Sequence, residues 1–164
     1  MISDKMAKAL NDQITAEMYS SYLYLAMAAH LESENYNGFA GWMRAQSSEE
    51  WGHGMKFYKY LGEVSKKVEL AGIEKPKTNW NSPQEIFEEA LKHELYITDR
   101  INNLVNLAHE EKDHATNIFL HFFVTEQVEE VSTATTIVEK FKMVGDNKVS
   151  LYLLDKELGQ RAAH

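Results

Sequence analysis

The strongest constraint on the fold is how few residues in the chain break regular secondary structure. Its 164 residues include only eight glycines and two prolines. Breaks between patterned segments fall at residues 34–38, 66–82, 110–113 and 145–147. A sandwich or barrel of many short strands needs turn residues about every 8–12 positions, so this composition argues against both. The uninterrupted segments are long enough for helices of about thirty residues, which predicts an all-α fold.

Four long helices of similar length and one short helix are predicted. The long helices cover residues 4–33, 37–65, 83–111 and 114–144, and the short C-terminal one covers approximately 147–160. Ser82, Pro83 and Glu85 have the spacing of a helix start with a capping box. One long connection between two short ones is typical of a four-helix bundle with a crossover. The crossover is long enough to run the length of the bundle, which would make the second and third helices parallel. We expect a single domain over residues 1–164.

Each long helix has a glutamate in the middle of its apolar face, at about 100° of rotation per residue. These acids are Glu17, Glu50, Glu94 and Glu130. Because the midpoints of equal helices coincide in a bundle, the four carboxylates are expected at one depth. Each unpaired buried carboxylate costs several kcal/mol, and the sequence offers no matching set of inward lysines or arginines. The pattern therefore predicts a bound cation inside the bundle.

His53 indicates the kind of cation. It follows Glu50 by three residues, so both side chains project from the same side of the second helix. Many oxygen ligands with one nitrogen suit iron or manganese better than structural zinc. The chain has no cysteine, which excludes disulfides, cysteine–zinc sites and thiolate-bound iron–sulfur clusters.

Weaker candidates surround these residues. Glu49, Glu126 and Glu129 flank the acids, although each taken singly also fits a solvated helix face. Gln127 could bind a metal or hydrogen-bond to one of its ligands. Tyr24 lies on the apolar face of the first helix, where its hydroxyl needs a partner, and a metal-bound glutamate is suited to that role.

The whole chain resembles bacterial-type non-haem ferritins. The resemblance rests on Glu17, Tyr24, Glu94, the EEWGH run at 49–53 and the EQVEE run at 126–130. It implies one iron held by Glu17, Glu50 and His53. It implies a second iron held by Glu50, Glu94 and Glu130, with Gln127 nearby. It also implies a third iron site, formed by Glu49, Glu126, Glu129 and Glu130.

The fourth helix reads Gln127-x-x-Glu130 where a symmetric di-iron bundle would repeat Glu-x-x-His, so the chain resembles ferritins more than bacterioferritins. Trp51 follows Glu50 where bacterioferritins have the methionine that binds haem, so no haem is expected. The activity implied by the resemblance is ferroxidase, with storage of ferric mineral in a hollow shell of 24 identical subunits. The catalytic residues it implies are Glu17, Tyr24, Glu50, His53, Glu94 and Glu130.

The net charge, the hydropathy and the start of the chain indicate partners and location, but several alternative functions stay open. The formal net charge is −8, which disfavours nucleic acid and favours cations. The longest uncharged stretch that resembles a membrane span, residues 18–31, is shorter than the roughly 20 residues that cross a membrane. The start of the chain does not resemble a secretory signal, so we expect a cytoplasmic protein. The alternatives are a DNA-protecting mini-ferritin, a passive shell subunit and another di-iron or di-manganese oxidase.

Overall fold

The computed structural model describes residues 2–161, so Met1 and residues 162–164 are not discussed further. Within that range the chain forms five helices and no strand. They are α1 (Asp4–Ser33), α2 (Asn37–Glu63), α3 (Pro83–Glu110), α4 (His114–Val144) and α5 (Lys148–Leu158). The predicted all-α bundle with a crossover and a short fifth helix is confirmed. No helix in this range is apolar over a long enough stretch to cross a membrane.

Two long helices end slightly earlier than the sequence pattern indicates. Ser65 and Lys112 adopt positive φ angles of 57° and 56°. These left-handed residues let the next amide turn back to the helix, as Lys66 N–H does when it donates to the Leu61 carbonyl at 2.9 Å. Consequently α2 ends at Glu63 rather than at residue 65, and α3 ends at Glu110 rather than at 111.

Side-chain caps begin four of the five helices. Ser3, Ser82, Asp113 and Asn147 each accept a hydrogen bond from the amide three residues later. By contrast, Tyr36 provides no cap for α2. There the Phe39 amide donates to Asp155 Oδ1 at 2.9 Å, so a carboxylate of α5 satisfies the start of α2.

Two apolar clusters fill the two ends of the bundle. The first, which we call the α5-end cluster, includes Leu31, Phe39, Phe87, Phe141 and Leu154. The second, the opposite-end cluster, includes Leu10, Phe57, Leu61, Leu104 and Phe123. The starts of α2 and α3 therefore lie at the same end, together with the ends of α1 and α4. This arrangement makes α2 and α3 parallel.

The crossover runs from one cluster to the other. Val68, soon after α2, packs on the opposite-end cluster. Trp80, just before α3, is buried in the α5-end cluster, where its indole N–H donates to Glu89 Oε2 at 2.6 Å. The connection thus traverses the bundle lengthwise.

Close backbone contact fixes α5 against the start of α2. A Cβ at Gly38 would lie 1.8 Å from the Asp155 carbonyl oxygen, so only glycine fits there. Leu154 and Leu158 bury their side chains in the α5-end cluster. The end of α5 is consequently held beside the first turns of α2.

Candidate metal centre

The four central acids lie between the two apolar clusters. Each one falls between a residue of the α5-end cluster and a residue of the opposite-end cluster on its own helix. Glu17 and Glu50 are each 1% exposed and Glu94 is 3% exposed, whereas Glu130 is half-buried. The equal-depth argument from the sequence therefore agrees with where these side chains lie.

Three groups of side chains present ligand atoms within 4.8 Å of one another. They are Glu17–Glu50–His53, Glu50–Glu94–Glu130 and His53–Glu126–Glu130. Glu50 belongs to the first two groups, so its carboxylate is placed to bridge two cations. A carboxylate shared by two such groups can serve as a common ligand of two metal ions.

Two glutamines, absent from the sequence-based predictions, hold the first two acids. Gln13 Nε2 donates to Glu17 Oε1 at 2.9 Å, and Gln46 Nε2 donates to Glu50 Oε1 at 3.1 Å and also to Glu130. The sequence carries a signal for both, because each glutamine precedes its glutamate by four residues and so shares its face of the helix.

Two arginines orient these glutamines from other parts of the chain. Arg100 Nε donates to Gln13 Oε1 at 2.9 Å, and Arg161 Nη1 donates to Gln46 Oε1 at 2.9 Å. With its oxygen occupied in this way, each amide must direct its NH₂ group toward the acids. The glutamine orientations are therefore fixed from outside the acidic layer.

Glu94 accepts hydrogen bonds on both carboxylate oxygens. Tyr24 donates to Oε1, and Gln127 Nε2 donates to Oε2 at 3.1 Å. The same Gln127 nitrogen is 3.1 Å from the Thr98 hydroxyl oxygen. Of the two roles the sequence allowed for Gln127, the structure displays hydrogen bonding to an acid. Tyr24 finds its partner in Glu94, on a different helix from its own.

His53 provides a neutral nitrogen beside the acids. Its Nδ1 lies 3.1 Å from Glu50 Oε2 and its Nε2 lies 3.9 Å from Glu126 Oε1. The ring is 5% exposed and packs edge-on against Phe122 and Phe123. Burial lowers the pKa of His53 to about 4. The imidazole is therefore uncharged at neutral pH, which is the state that binds metals.

Burial and mutual repulsion make the carboxyls hold protons more tightly than usual. Burial is the main reason that the pKa of Glu17 rises to about 7 and that of Glu130 to about 9. The pKa values of Glu50 and Glu94 are also raised, in both cases chiefly by burial. A divalent cation can replace these protons, because it stabilises the charged carboxylates that burial disfavours.

Among the four central acids, one buried oxygen has no hydrogen-bond partner. Glu17 Oε2 has no hydrogen bond although it is inaccessible to solvent. The other carboxylate oxygen of Glu17 accepts a hydrogen bond from Gln13, and Glu17 belongs to the ligand group formed with Glu50 and His53. An unsatisfied carboxylate oxygen beside a neutral imidazole fits a metal ion, which would complete its interactions.

The weaker acidic candidates line a cavity next to this set. Glu49 and Glu126 are half-buried, and Glu129 is exposed. All three line a cavity of about 350 Å³, which Glu94, Glu130 and Tyr24 line as well. The structure therefore brings Glu49, Glu126 and Glu129 to the same cavity as Glu130, although Glu49 is paired with Arg161 Nη2 at 2.9 Å.

Known proteins resemble this chain over nearly its full length. A family model described as a ferritin-like domain matches residues 7–144. The bacterial non-heme ferritin of Bacteroides fragilis is 44% identical over 161 residues, covering 98% of this chain and 100% of the relative. The corresponding protein of Staphylococcus aureus is 39% identical, covering 98% and 97%. An open-pore ferritin from the archaeon Archaeoglobus fulgidus matches with a TM-score of 0.98 at 47% identity, covering 99% of this chain and 100% of that one.

Proposed function

This chain belongs to the ferritin family, and we propose that it stores iron after oxidising Fe(II) to Fe(III) within its own helical bundle. The observation that carries the proposal is the pair of ligand groups that share Glu50. A bridging carboxylate holds two iron ions close enough to react together. Iron is the substrate in this proposal, and dioxygen or peroxide is the oxidant.

The inner side chains provide two adjoining positions for Fe(II). Glu17, Glu50 and His53 bind one ion, and Glu50, Glu94 and Glu130 bind the other. Each Fe(II) gives up one electron, so a pair can reduce one dioxygen to hydrogen peroxide with the uptake of two protons. Anionic oxygen ligands stabilise Fe(III) more than Fe(II), and the carboxylates thereby favour the oxidation.

The surrounding side chains position these ligands. Tyr24 and Gln127 fix the Glu94 carboxylate, while Gln13 and Gln46 fix Glu17 and Glu50. Such outer hydrogen bonds limit how far the ligands must move when iron binds. Tyr24 is therefore a positioning residue in this proposal.

The adjacent cavity provides a route and a third position. Glu49, Glu126, Glu129 and Glu130 would bind a third iron ion there, between the inner acids and the outside of the subunit. Ferric product would leave along these carboxylates and be stored as mineral in a hollow shell. We propose that the shell contains 24 copies of this chain and resides in the cytoplasm, as the resemblance to ferritins implies.

Rapid mixing tests the proposed oxidation. Metal-free protein loaded anaerobically with about two Fe(II) per chain is mixed with oxygenated buffer, and the visible absorbance is followed on the millisecond scale. We expect a fast coloured transient that decays to a yellow ferric product. Glu50→Ala should slow the oxidation to the rate in buffer, because it removes a ligand from both positions.

A matched control separates this loss from general damage. Glu63→Ala removes an exposed acid from the end of the same helix, and it should leave the oxidation rate unchanged. Size-exclusion chromatography should show both variants with the assembly size of the parent. Fast oxidation in Glu50→Ala would refute the proposed site.

A further inference from the structure

Arg161 follows α5 and extends its guanidinium group to the acidic cavity. Its Nη2 lies 2.9 Å from Glu49 Oε2, and its Nη1 donates to Gln46 Oε1 at 2.9 Å and to the Trp42 carbonyl at 3.3 Å. The guanidinium carbon also lies 4.6 Å from the centre of the Trp42 ring. Acid, amide and aromatic contacts together fix the position of this cation.

The docking of α5 is what places Arg161 there. Asp155 caps the start of α2, and the backbones of Gly38 and Gly159 approach so closely that a Cβ on Gly159 would lie 2.9 Å from the Gly38 Cα. Arg161 comes two residues after this contact. Its side chain therefore starts from a fixed backbone and has only to cross from the end of α5 to the second, third and fourth turns of α2.

The cavity that Arg161 reaches is strongly acidic. Among the described residues that line it, five are glutamates and Arg161 is the only cationic side chain. The side chains of Arg161 and Glu49 remain 21% and 36% exposed. The ion pair of Arg161 with Glu49 is partly hydrated and contributes little net free energy. A divalent ion bound by several of these glutamates can therefore replace Arg161 and compensate for its lost contacts with Gln46 and Trp42.

We propose that Arg161 is a counter-cation of the outer part of the cavity, which a divalent metal ion displaces from Glu49 when it binds there. This inference rests on the proposed function, because it assumes that metal ions enter the cavity. While Arg161 occupies Glu49, the outer position binds metal more weakly than the inner two, so the inner positions fill first.

Displacement of Arg161 also affects the hydrogen bonds that the inner acids accept. Arg161 holds the oxygen of Gln46, and the nitrogen of that amide donates to Glu50 and Glu130. Release of Arg161 frees Gln46 to rotate, which loosens the hydrogen bonds on an acid shared by both inner positions. Filling the outer position is thereby coupled to the freedom of the bridging carboxylate.

Calorimetric titration of the full-length assembled protein with Zn²⁺, a redox-inert probe, tests the inference at constant pH. Arg161→Gln keeps a long side chain but removes the charge. It should tighten the weakest class of Zn²⁺ sites by about fivefold, the largest effect expected of a partly hydrated ion pair. Arg161→Lys should restore the parent affinity, because a competing charge is present again.

A control variant and an optical signal distinguish competition from simple support of α5. Lys140→Gln removes another ion pair of α5, Lys140 with Glu157 at 3.1 Å, and should leave every Zn²⁺ class unchanged. In the parent protein, filling the weakest class of Zn²⁺ sites should change the tryptophan emission, because the Arg161 guanidinium group leaves the Trp42 ring. Metal-free Glu49→Gln should show that changed emission already, and this variant does not depend on altering Arg161.

The outcomes separate the two proposals. Both proposals are supported if Glu50→Ala loses the tight Zn²⁺ classes, Arg161→Gln tightens the weak class, and Arg161→Lys restores the parent affinity of that class. A weak class that is unchanged or weakened in Arg161→Gln overturns the role of Arg161 alone. A parent protein with no Zn²⁺ class that depends on Glu50 overturns the proposed function and, with it, this inference.

Discussion

The apolar clusters and the acidic layer between them are built on the same four helices but contribute to the molecule in opposite ways. Full burial of a large apolar side chain such as Phe57 or Phe87 stabilises the fold by about 1.5–3 kcal/mol. A buried carboxyl such as Glu17 or Glu50 contributes no such stabilisation and must remain protonated or find a cation. The clusters therefore account for folding, whereas the acidic layer is accounted for by the cations that the proposed function assigns to it.

The two regions also differ in how their geometry is fixed. Phenylalanine and aliphatic side chains of the clusters are held by packing alone, as in the stack of Phe57 on Phe123 with ring centres 4.2 Å apart. The acids are held by directed hydrogen bonds from Gln13, Gln46 and Gln127. Directed bonds keep ligands close to a binding geometry before any metal arrives, which packing does not do for a polar group.

The largest effect should come from the apolar side of this comparison. Phe57→Ala leaves a cavity in the opposite-end cluster, because Phe57 is fully buried. We expect the free energy of unfolding to fall by about 3–5 kcal/mol, as measured by chemical denaturation at fixed protein concentration. The number of Zn²⁺ ions bound per folded chain should not change. A variant that kept its stability but lost metal binding would reverse the roles assigned to the two regions.

A smaller effect, taken per pH unit, should appear in the stability of the metal-free protein as the pH changes. Glu17 and Glu130 have pKa values of about 7 and about 9 in the folded chain, above the usual 4.5. The folded state thus binds protons more tightly than the unfolded state, so these groups lose their stabilising effect as the pH rises. His53 has a lowered pKa of about 4 and acts in the opposite direction, but only below about pH 6.5.

We therefore expect the unfolding free energy to fall between about pH 4.5 and 9, by up to about 1.4 kcal/mol per pH unit for each titrating carboxyl, with the part due to Glu17 complete by about pH 7. Denaturation curves at several pH values measure this slope. Glu17→Gln should flatten the slope below about pH 7, whereas Glu63→Gln, which alters an exposed acid, should not. Stability that is constant or rises across this range would show that the acids are ionised without metal.

The smallest of the three effects should come from a single hydroxyl. Tyr24→Phe removes the hydrogen bond to Glu94 but keeps the ring in the α5-end cluster. Oxidation of Fe(II) should slow by about tenfold, since partners of metal ligands typically contribute 10–100-fold. Tyr60→Phe is the matched control, because it removes a buried hydroxyl bonded to Thr116 in the other cluster. Equal rates in the two variants would assign Tyr24 to packing.

The fold was predictable because its causes are local and repeated. Few glycines and prolines permit long helices, the periodic apolar residues show which faces meet, and the lengths of the connections give the topology. The convergence of Glu17, Glu50, Glu94 and Glu130 followed from their places on the apolar faces and from the helix midpoints. Helix ends were less predictable, since they depend on single residues such as Ser65 and Lys112 that adopt left-handed conformations.

The residues that orient the acids were only partly predictable. Gln13 and Gln46 precede their glutamates by four residues, and that spacing is visible in the sequence. Arg100 and Arg161 lie 87 and 115 residues from the glutamines they contact. No local pattern links side chains so far apart, because their meeting depends on how α3 and α5 pack onto the other helices.

The cap that Asp155 provides for α2 has a consequence for the order in which the molecule is completed. The carboxylate and the Phe39 amide are 116 residues apart in sequence, so a growing chain exposes the start of α2 long before its cap has been synthesised. During synthesis, α1 and α2 can pair while the first turn of α2 is still frayed. That turn becomes fixed only after α5 has left the ribosome and docked, and Arg161 reaches Gln46 in the same step.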